Sequence, residues 1–584
     1  MKKRKVYIVL SIVIILQIVL AFQGFDICDD GFVLTFYQQI FKNPESVEYN
    51  FLYWFSGIIG GIWYKLFEDG GVLWFRFLAI IVNTSTFYLS YKLLKRYVNL
   101  DFLLFALVMA LFVNDYGFLT YYHNQLTAFM AVLIIYTLNA AVMKNNFLLY
   151  VVSGILLSIN VFTRIPNLVL FSLVLVIPYA YYLKKMSIIK AIKPLSFLVF
   201  GSVIGLLMVY ATLELLGQLD IMKNALFTIG DLGETENSSH NFGSIFKAPI
   251  FNYISITIET VKLILIVAIL YLAKRVLPNI KIVRILIYAL AVLLFVYWFN
   301  TQNIYPIYCL CLIGSITVLR LKKVQLELKF IGLLSLLTLI TISLGSAGGI
   351  KNSGYMAIWI GLPLFFYVID NALSFFKESR IKKIKAFFKK SSVSLHGFLW
   401  SIIISFLILK TYNISQGAYF DIGSRFEKTY AINNSLAVGV YTTERRANII
   451  NDLLLNLERF VKPDDYLFAY DKIPMVHFLT ETQPYMYNPW VWIYDYNSFE
   501  KKLNKAEKEI PVLPIVVQQK VETIYRFSEP ISDYMSTKKI NTNFHSNERN
   551  AIMISFLNRN NYKIVWSNDY FNIYESKSDI NKVD

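Results

Sequence analysis

Thirteen apolar stretches recur along this chain, each close to the roughly 20 residues that a helix needs to cross the hydrocarbon core of a membrane. They run over 6–24, 72–91, 102–119, 125–143, 147–163, 166–183, 195–216, 253–273, 283–299, 304–319, 329–346, 355–376 and 395–411. Only 16% of the 584 residues are charged, too few to coat a soluble fold of this size or to keep the chain disordered. Basic residues alternate between the stretches. The segments 2–5, 92–96, Lys144, 184–193, 274–284, 320–329 and 377–390 carry 27 Lys and Arg, whereas the opposite connectors carry six: Lys42, Lys65, Arg164, Lys223, Lys247 and Lys351. Positive residues stay on the cytoplasmic side, so the pattern predicts thirteen crossings with a cytoplasmic N-terminus. The basic start Met1-Lys2-Lys3-Arg4-Lys5 lacks a small-x-small cleavage site and reads as an uncleaved anchor.

The net charge of +17 points to no nucleic-acid partner, because its excess lies in these short runs. From residue 411 onward 20 Lys and Arg meet 21 Asp and Glu. Three cysteines make no disulfide framework. The sequence therefore divides into a helical membrane domain, 1–411, and an extracytoplasmic α/β domain, 412–584. The latter should hold an amphipathic helix from Glu444, strands at 466–470, 512–517, 563–566 and 571–574, and helices near 499–507 and 549–557. Two external connectors are long. Residues 25–71 hold aromatic, glycine-containing runs suited to helices lying on the membrane surface, and 218–250 reads as an acidic loop.

Chemistry-bearing residues gather at the external ends of the spans. Asp26, Asp29 and Asp30 stand within five residues directly after the first span, where mutual repulsion and lost solvation favour a raised pKa, a bound cation or a hydroxyl donor. Asp29 or Asp30 is the candidate general base. Arg76 lies in an apolar run and must snorkel, pair with the acids or meet a phosphate. Arg164 is a cation on the side where cations are depleted, and Lys351 sits in a glycine-rich turn. Tyr121, Tyr122, His123 and Asn124 offer aromatic faces and an imidazole for an acceptor or a sugar. Asp231, Glu234, Glu236 and His240 match no metal-site spacing. In the tail, Tyr470-Asp471-Lys472-Ile473-Pro474 follows a strand, and the aromatic run Tyr485–Trp492 suits either sugar stacking or core packing. Walker, dinucleotide and zinc-binding motifs are absent from the sequence.

An apolar first span, then Asp29-Asp30-Gly31-Phe32, an aromatic surface segment, Arg76 opening the second span and a soluble tail after the thirteenth resemble the GT-C superfamily of glycosyltransferases. The likeness is to the protein O-mannosyltransferase and lipid A aminoarabinose transferase branch, family 39 type. It implies a sugar drawn from a polyprenyl-phosphate donor and passed to a lipid, glycan or protein acceptor of the cell envelope, on the external face of a multi-pass cell-membrane protein. Asp29 matches the family's catalytic Asp, and Asp30 replaces its Glu partner. Asp29 and Asp30 would also be the ligands of a divalent metal ion, the one cofactor expected. Arg76, Arg164 and Lys351 would receive the donor phosphate, and Asp26, Tyr121, Tyr122, His123 and Asn124 the acceptor or sugar. The family's Lys-Pro-Pro is replaced by Glu48-Tyr49-Asn50-Phe51, and its second external acid by His123-Asn124. The alternatives are a glycan or lipid transporter or flippase, and a glycan polymerase or ligase.

Overall fold

The computed structural model describes residues 2–113, 120–234, 242–276, 281–346, 348–371, 395–520 and 547–577. Among the described residues each predicted span overlaps helix: α1 (Lys2–Ala21), α4 (Gly71–Leu94), α5 (Leu100–Phe112), α6 (His123–Lys144), α7 (Phe147–Thr163), a 3-10 segment Ile165–Leu175 running into α8 (Val176–Leu183), α9 (Ile192–Leu215), α11 (Phe242–Val276), α12 (Lys281–Trp298), α13 (Ile304–Arg320), α14 (Leu326–Thr341), the pair α15 (Ile350–Ser353) and α16 (Ile358–Asp370), and Leu395–Gln416. Six helices among the described residues are long and apolar enough to cross a membrane, or seven if a pair bent by 72° at residue 357 counts as one span. The remainder includes apolar helices of 10–17 residues, such as α5 and α7. A helix rising 1.5 Å per residue needs more residues than these have to traverse about 30 Å of hydrocarbon, so thirteen full crossings are not established by length.

The ends of these helices sort by charge. Lys5 pairs with Asp101, Lys184 donates to the Val142 carbonyl at 2.8 Å, and Asn139 donates to Glu327 at 3.0 Å. Segments that the charge pattern assigns to one side thus meet at one end. Helices α7 and α9 touch backbone to backbone: a Cβ on Gly154 would come within 2.1 Å of the Leu198 oxygen, and one on Gly201 within 2.0 Å of the Val151 oxygen. Small residues permit such contact where lipid offers no hydrophobic drive for association.

Both long connectors differ from expectation. Residues 25–71 form α2 (Asp29–Gln39), a 3-10 segment Pro44–Tyr53 and α3 (Trp54–Leu66). All eleven residues of α2 are buried, because the C-terminal domain covers it. Residues 219–234 of the supposed acidic loop are helical, as α10 (Leu219–Glu234), and its Gln218 lead-in joins Trp54 and Ile40 by hydrogen bonds. Glu236 and His240 lie outside the described residues.

The C-terminal domain holds two short ribbons, β1 (Gly417–Ala418) with β2 (Asp421–Ile422) and β3 (Tyr430–Ala431) with β4 (Tyr441–Thr442). A five-stranded sheet follows, built from β5 (Tyr466–Tyr470), β6 (Gln483–Pro484), β7 (Ile515–Gln519), β8 (Tyr562–Ser567) and β9 (Phe571–Ser576) in the order β6-β5-β7-β9-β8. Parallel pairing of β5 with β6 and β7 gives way to antiparallel pairing among β7, β9 and β8. The helices Glu444–Leu457, Tyr496–Glu509 and Asn547–Arg559 follow the sequence expectation closely.

A single apolar core joins this domain to the first connector and to α4: Phe32, Phe36, Tyr37, Phe51 and, from α4, Phe75 share it with Leu436, Leu454, Phe468 and Phe478. The chain leaving α1 is fastened to the domain as well. Gly24 N–H donates to the Tyr441 carbonyl and Tyr441 N–H to the Phe22 carbonyl, both at 2.8 Å. Gly201→Val should therefore separate α7 from α9 and destabilise the protein by about 1–3 kcal/mol, the usual cost of overpacking. Thermal unfolding in detergent reads this, and an unchanged transition would contradict the close approach.

Candidate functional site

The acids expected to carry the chemistry sit where α1 ends and α2 begins, with Asp26, Asp29 and Asp30 all buried. Asp29 and Asp30 open α2, where unpaired amides and the helix dipole favour negative charge. Asp26 builds that turn: its Oδ1 accepts from the Cys28 amide and its Oδ2 from the Asp30 amide, each at 2.8 Å. Gly31 allows the C-terminal domain to approach, since a Cβ there would lie 2.0 Å from the Met475 nitrogen. Met475 N–H in turn donates to the Ile27 carbonyl at 3.1 Å.

Each carboxylate has a distinct setting. Asp30 Oδ2 accepts from Thr120 Oγ1 at 2.7 Å and lies 3.6 Å from a terminal nitrogen of Arg76. Burial pushes the Asp30 carboxyl up, while Arg76 and Thr120 pull it back only in part. Asp26 is raised further, by burial first and then by the charges of Asp30 and Asp29. Asp29 Oδ2 accepts from the phenol of Tyr419, which belongs to the turn between β1 and β2.

Beside Asp29 lies an aromatic and basic wall. Tyr53 stacks on His123 with ring centroids 3.9 Å apart and planes 13° from parallel. Burial raises the Tyr53 phenol; Arg164 opposes that shift and Asp29 adds to it. Arg164 and Asp29 also act together on Tyr355, which neighbours Asn124. Buried His123 carries an Nδ1 with no hydrogen-bond partner among the described residues. An acid, a guanidinium, two phenols and an imidazole thus share one locality at the α2 end of the helices.

The predicted residues divide accordingly. Asp29, Arg164, His123 and Asn124 come together. Tyr122 is buried with its ring tilted against His123, while Tyr121 lies beneath α2, its carbonyl accepting from the Tyr37 hydroxyl at 3.4 Å. Arg76, expected at the donor phosphate, is completely buried and bonds the Ala21 and Gly24 carbonyls at 2.6 and 2.7 Å. It ties the end of α1 to α4 and faces Asp30, with both terminal nitrogens on backbone carbonyls. Asp26, expected at the acceptor, spends both oxygens on backbone amides. Lys351 is exposed on the one-turn helix α15, and Tyr355 is the residue of that neighbourhood that enters the site. Among the described residues no three His, Cys, Asp or Glu side chains are grouped as metal ligands. Asp26 gives both oxygens to backbone amides and Asp30 Oδ2 faces Thr120 and Arg76, so the acids of this turn do not offer a divalent ion a shared three-carboxylate set.

Sequence reasoning missed Thr120, Tyr53, Tyr355, Tyr419, Asp421 and Arg446. Asp421 is fully buried and accepts from the Phe25 amide at 2.8 Å, Thr442 Oγ1 at 2.6 Å and Lys428 Nζ at 2.8 Å, with Arg446 Nε 3.4 Å away. Arg446 also donates to the Phe25 carbonyl at 2.9 Å. Nothing local in the sequence marks these residues; the one available signal was charge recurring just beyond the last span.

Two outcomes follow. Arg76→Leu should cost about 3–5 kcal/mol in detergent unfolding, because it leaves Asp30 and two carbonyls unpaired; a neutral result would remove Arg76 from its structural role. Folded Asp26 holds its proton more tightly than it does in the unfolded chain. Its contribution therefore lowers stability as pH rises from the ordinary carboxylate value of 3.8 through its raised folded value. Asp26→Asn should flatten that decline in thermal unfolding measured from acid to neutral pH, and an unchanged slope would refute the assignment.

No family model and no curated protein matches the chain. Among the solved structures that resemble it, the oligosaccharyltransferase of Archaeoglobus fulgidus tethered to an acceptor peptide containing the NVT sequon superposes with a TM-score of 0.41 and 11% identity, over 88% of this chain and 69% of that one. A likeness this loose carries no functional argument.

Proposed function

We propose that this chain is a membrane glycosyltransferase of the GT-C kind, moving a sugar from a polyprenyl-phosphate carrier to a cell-envelope acceptor on the face opposite its N-terminus. Nucleotide sugars are cytoplasmic, so an external site needs a donor already carried across, and a lipid phosphate supplies one. In this reading Asp29 takes the proton of an acceptor hydroxyl as its oxygen attacks the anomeric carbon. The bond from that carbon to the phosphate oxygen breaks, and the electron pair leaves with the lipid phosphate. Without a covalent intermediate the anomeric centre inverts. Arg164 offsets the charge that grows on the leaving group.

The observation that carries the proposal is the shared placement of Asp29 and Arg164. Both act on the phenols of Tyr53 and Tyr355, beside a buried His123 nitrogen that lacks a partner among the described residues. A ligand with hydroxyls, an apolar face and an anion answers every part of that wall. A transporter or flippase would set its ionisable groups near the bilayer midplane, whereas these gather at one end of the helices.

The test is transfer of radiolabelled sugar from a set of polyprenyl-phosphate donors in membranes matched for expression. Asp29→Asn should lower the rate about a hundredfold or more, the scale of a lost general base. Unaltered transfer in the variant would move the base elsewhere, and donor translocation without transfer would favour the transporter.

A further inference from the structure

The first connector and the C-terminal domain enclose a cavity of about 370 Å³ at the end of α2 remote from the acids. The eleven residues of α2, at about 1.5 Å each, separate it from Asp29 by roughly 16 Å. Its walls are fixed from both sides. Lys42 Nζ meets Asp464 Oδ2 at 2.6 Å, the Tyr49 amide donates to the Tyr487 carbonyl at 3.1 Å, and Glu48 pairs with Lys502 of the helix Tyr496–Glu509 at 2.8 Å. Tyr466 and Tyr487 bring rings to the lining, while Glu45, Glu509 and Gln483 bring acceptor oxygens. The Tyr487 hydroxyl donates to Glu509 Oε2 at 2.7 Å, which sets that ring in place. Glu45 is exposed, and its carboxylate makes no hydrogen bond or ion pair among the described residues. It lies close enough to Tyr466 to add to the rise that burial gives that phenol. The cavity also borders the edge strand β6, yet that edge has little to offer a peptide. The Gln483 amide donates to the Asp465 carbonyl at 2.9 Å, the Tyr485 amide to the Leu467 carbonyl at 3.0 Å, and Pro484 between them has no N–H.

We infer that this cavity binds a sugar unit of a glycan acceptor, at a distance from the bond being formed. The inference rests on the function proposed above and gives its acceptor a class, a neutral oligosaccharide. A pyranose carries hydroxyls around its rim and C–H groups on its faces. Carboxylate and amide oxygens accept from the hydroxyls, and the tyrosine rings cover the faces. An acidic glycan would be repelled by Glu45 and Glu509. Seams between domains are favoured places for such sites, and walls already held by ion pairs lose little freedom when the ligand enters. Contacts remote from the reacting atoms supply energy for holding the acceptor hydroxyl in line beside Asp29.

The test applies the full-length protein in detergent micelles to an array of defined neutral oligosaccharides, acidic oligosaccharides and proline-containing peptides. Wild type should bind a subset of the neutral oligosaccharides. Glu45→Ala should weaken that binding about tenfold, the scale of one lost hydrogen bond to a charged group. Glu45→Trp, which fills the cavity from an exposed position, should abolish it. In the transfer assay Glu45→Ala should raise KM for an oligosaccharide acceptor and leave transfer to a monosaccharide, too short to reach the cavity, unaltered. Oligosaccharide binding equal in wild type and Glu45→Trp, binding to the peptides alone, or no oligosaccharide bound by wild type would overturn the inference. Transfer to an oligosaccharide with an unchanged KM in Glu45→Trp would overturn it while sparing the transferase. Glu45-dependent oligosaccharide binding without transfer from any donor would sink the transferase and keep the sugar site.

Discussion

The buried carboxylate of Asp421 holds the rest of the site in place. It binds the Phe25 amide, so the chain leaving the first helix is fixed to the C-terminal domain just before the acids begin. Withdrawing Asp421, Lys428 and Arg446 from water costs on the order of several kcal/mol for each ion, recovered only through their mutual attraction and their bonds to backbone. Such a knot is poor at adding stability and good at fixing a register. With residues 22–26 immobile, Arg76 can reach the Ala21 and Gly24 carbonyls, Asp26 can build the first turn of α2, and Asp29 arrives beside Tyr419.

Charge in this structure is consequently of two kinds. Arg76, Asp421, Lys428 and Arg446 are ionic groups used as fasteners, each bonded to backbone as well as paired with an opposite charge, and Asp26 fastens through backbone amides alone. Asp29 instead accepts from the phenol of Tyr419, and Arg164 acts on the phenols of Tyr53 and Tyr355, at the seam where helices and domain meet. That seam is an apolar core of its own, and the first connector belongs to it as much as the C-terminal domain does.

How much of this was legible depended on whether the cause was local. Apolar length and helical or alternating periodicity lie within short windows, and the helices at the predicted spans and the strands at 466–470 and 571–576 followed from them. Asp29, Arg164 and His123 stood out because ionisable groups at span ends are expensive. Arg76 stood out for the same reason, yet its task was hidden: its partners are carbonyl oxygens, which every residue possesses. The burial of α2 was equally hidden, since its aromatic content suits a membrane surface as well as a protein interior. Tyr419 and Asp421 had no signal, because their partners lie nearly 400 residues earlier and only the fold joins them.

That separation has a bearing on biosynthesis. The acidic turn emerges with the first helix, but the residues that cover and complete it are made last. Until they fold, α2 has no shelter for its eleven buried residues and Asp29 lacks its phenol. A chain interrupted anywhere before the C-terminal domain would display an apolar helix to the membrane surface or to chaperones. The first turn and the last domain are thus completed together, and only after nearly the whole chain has been made.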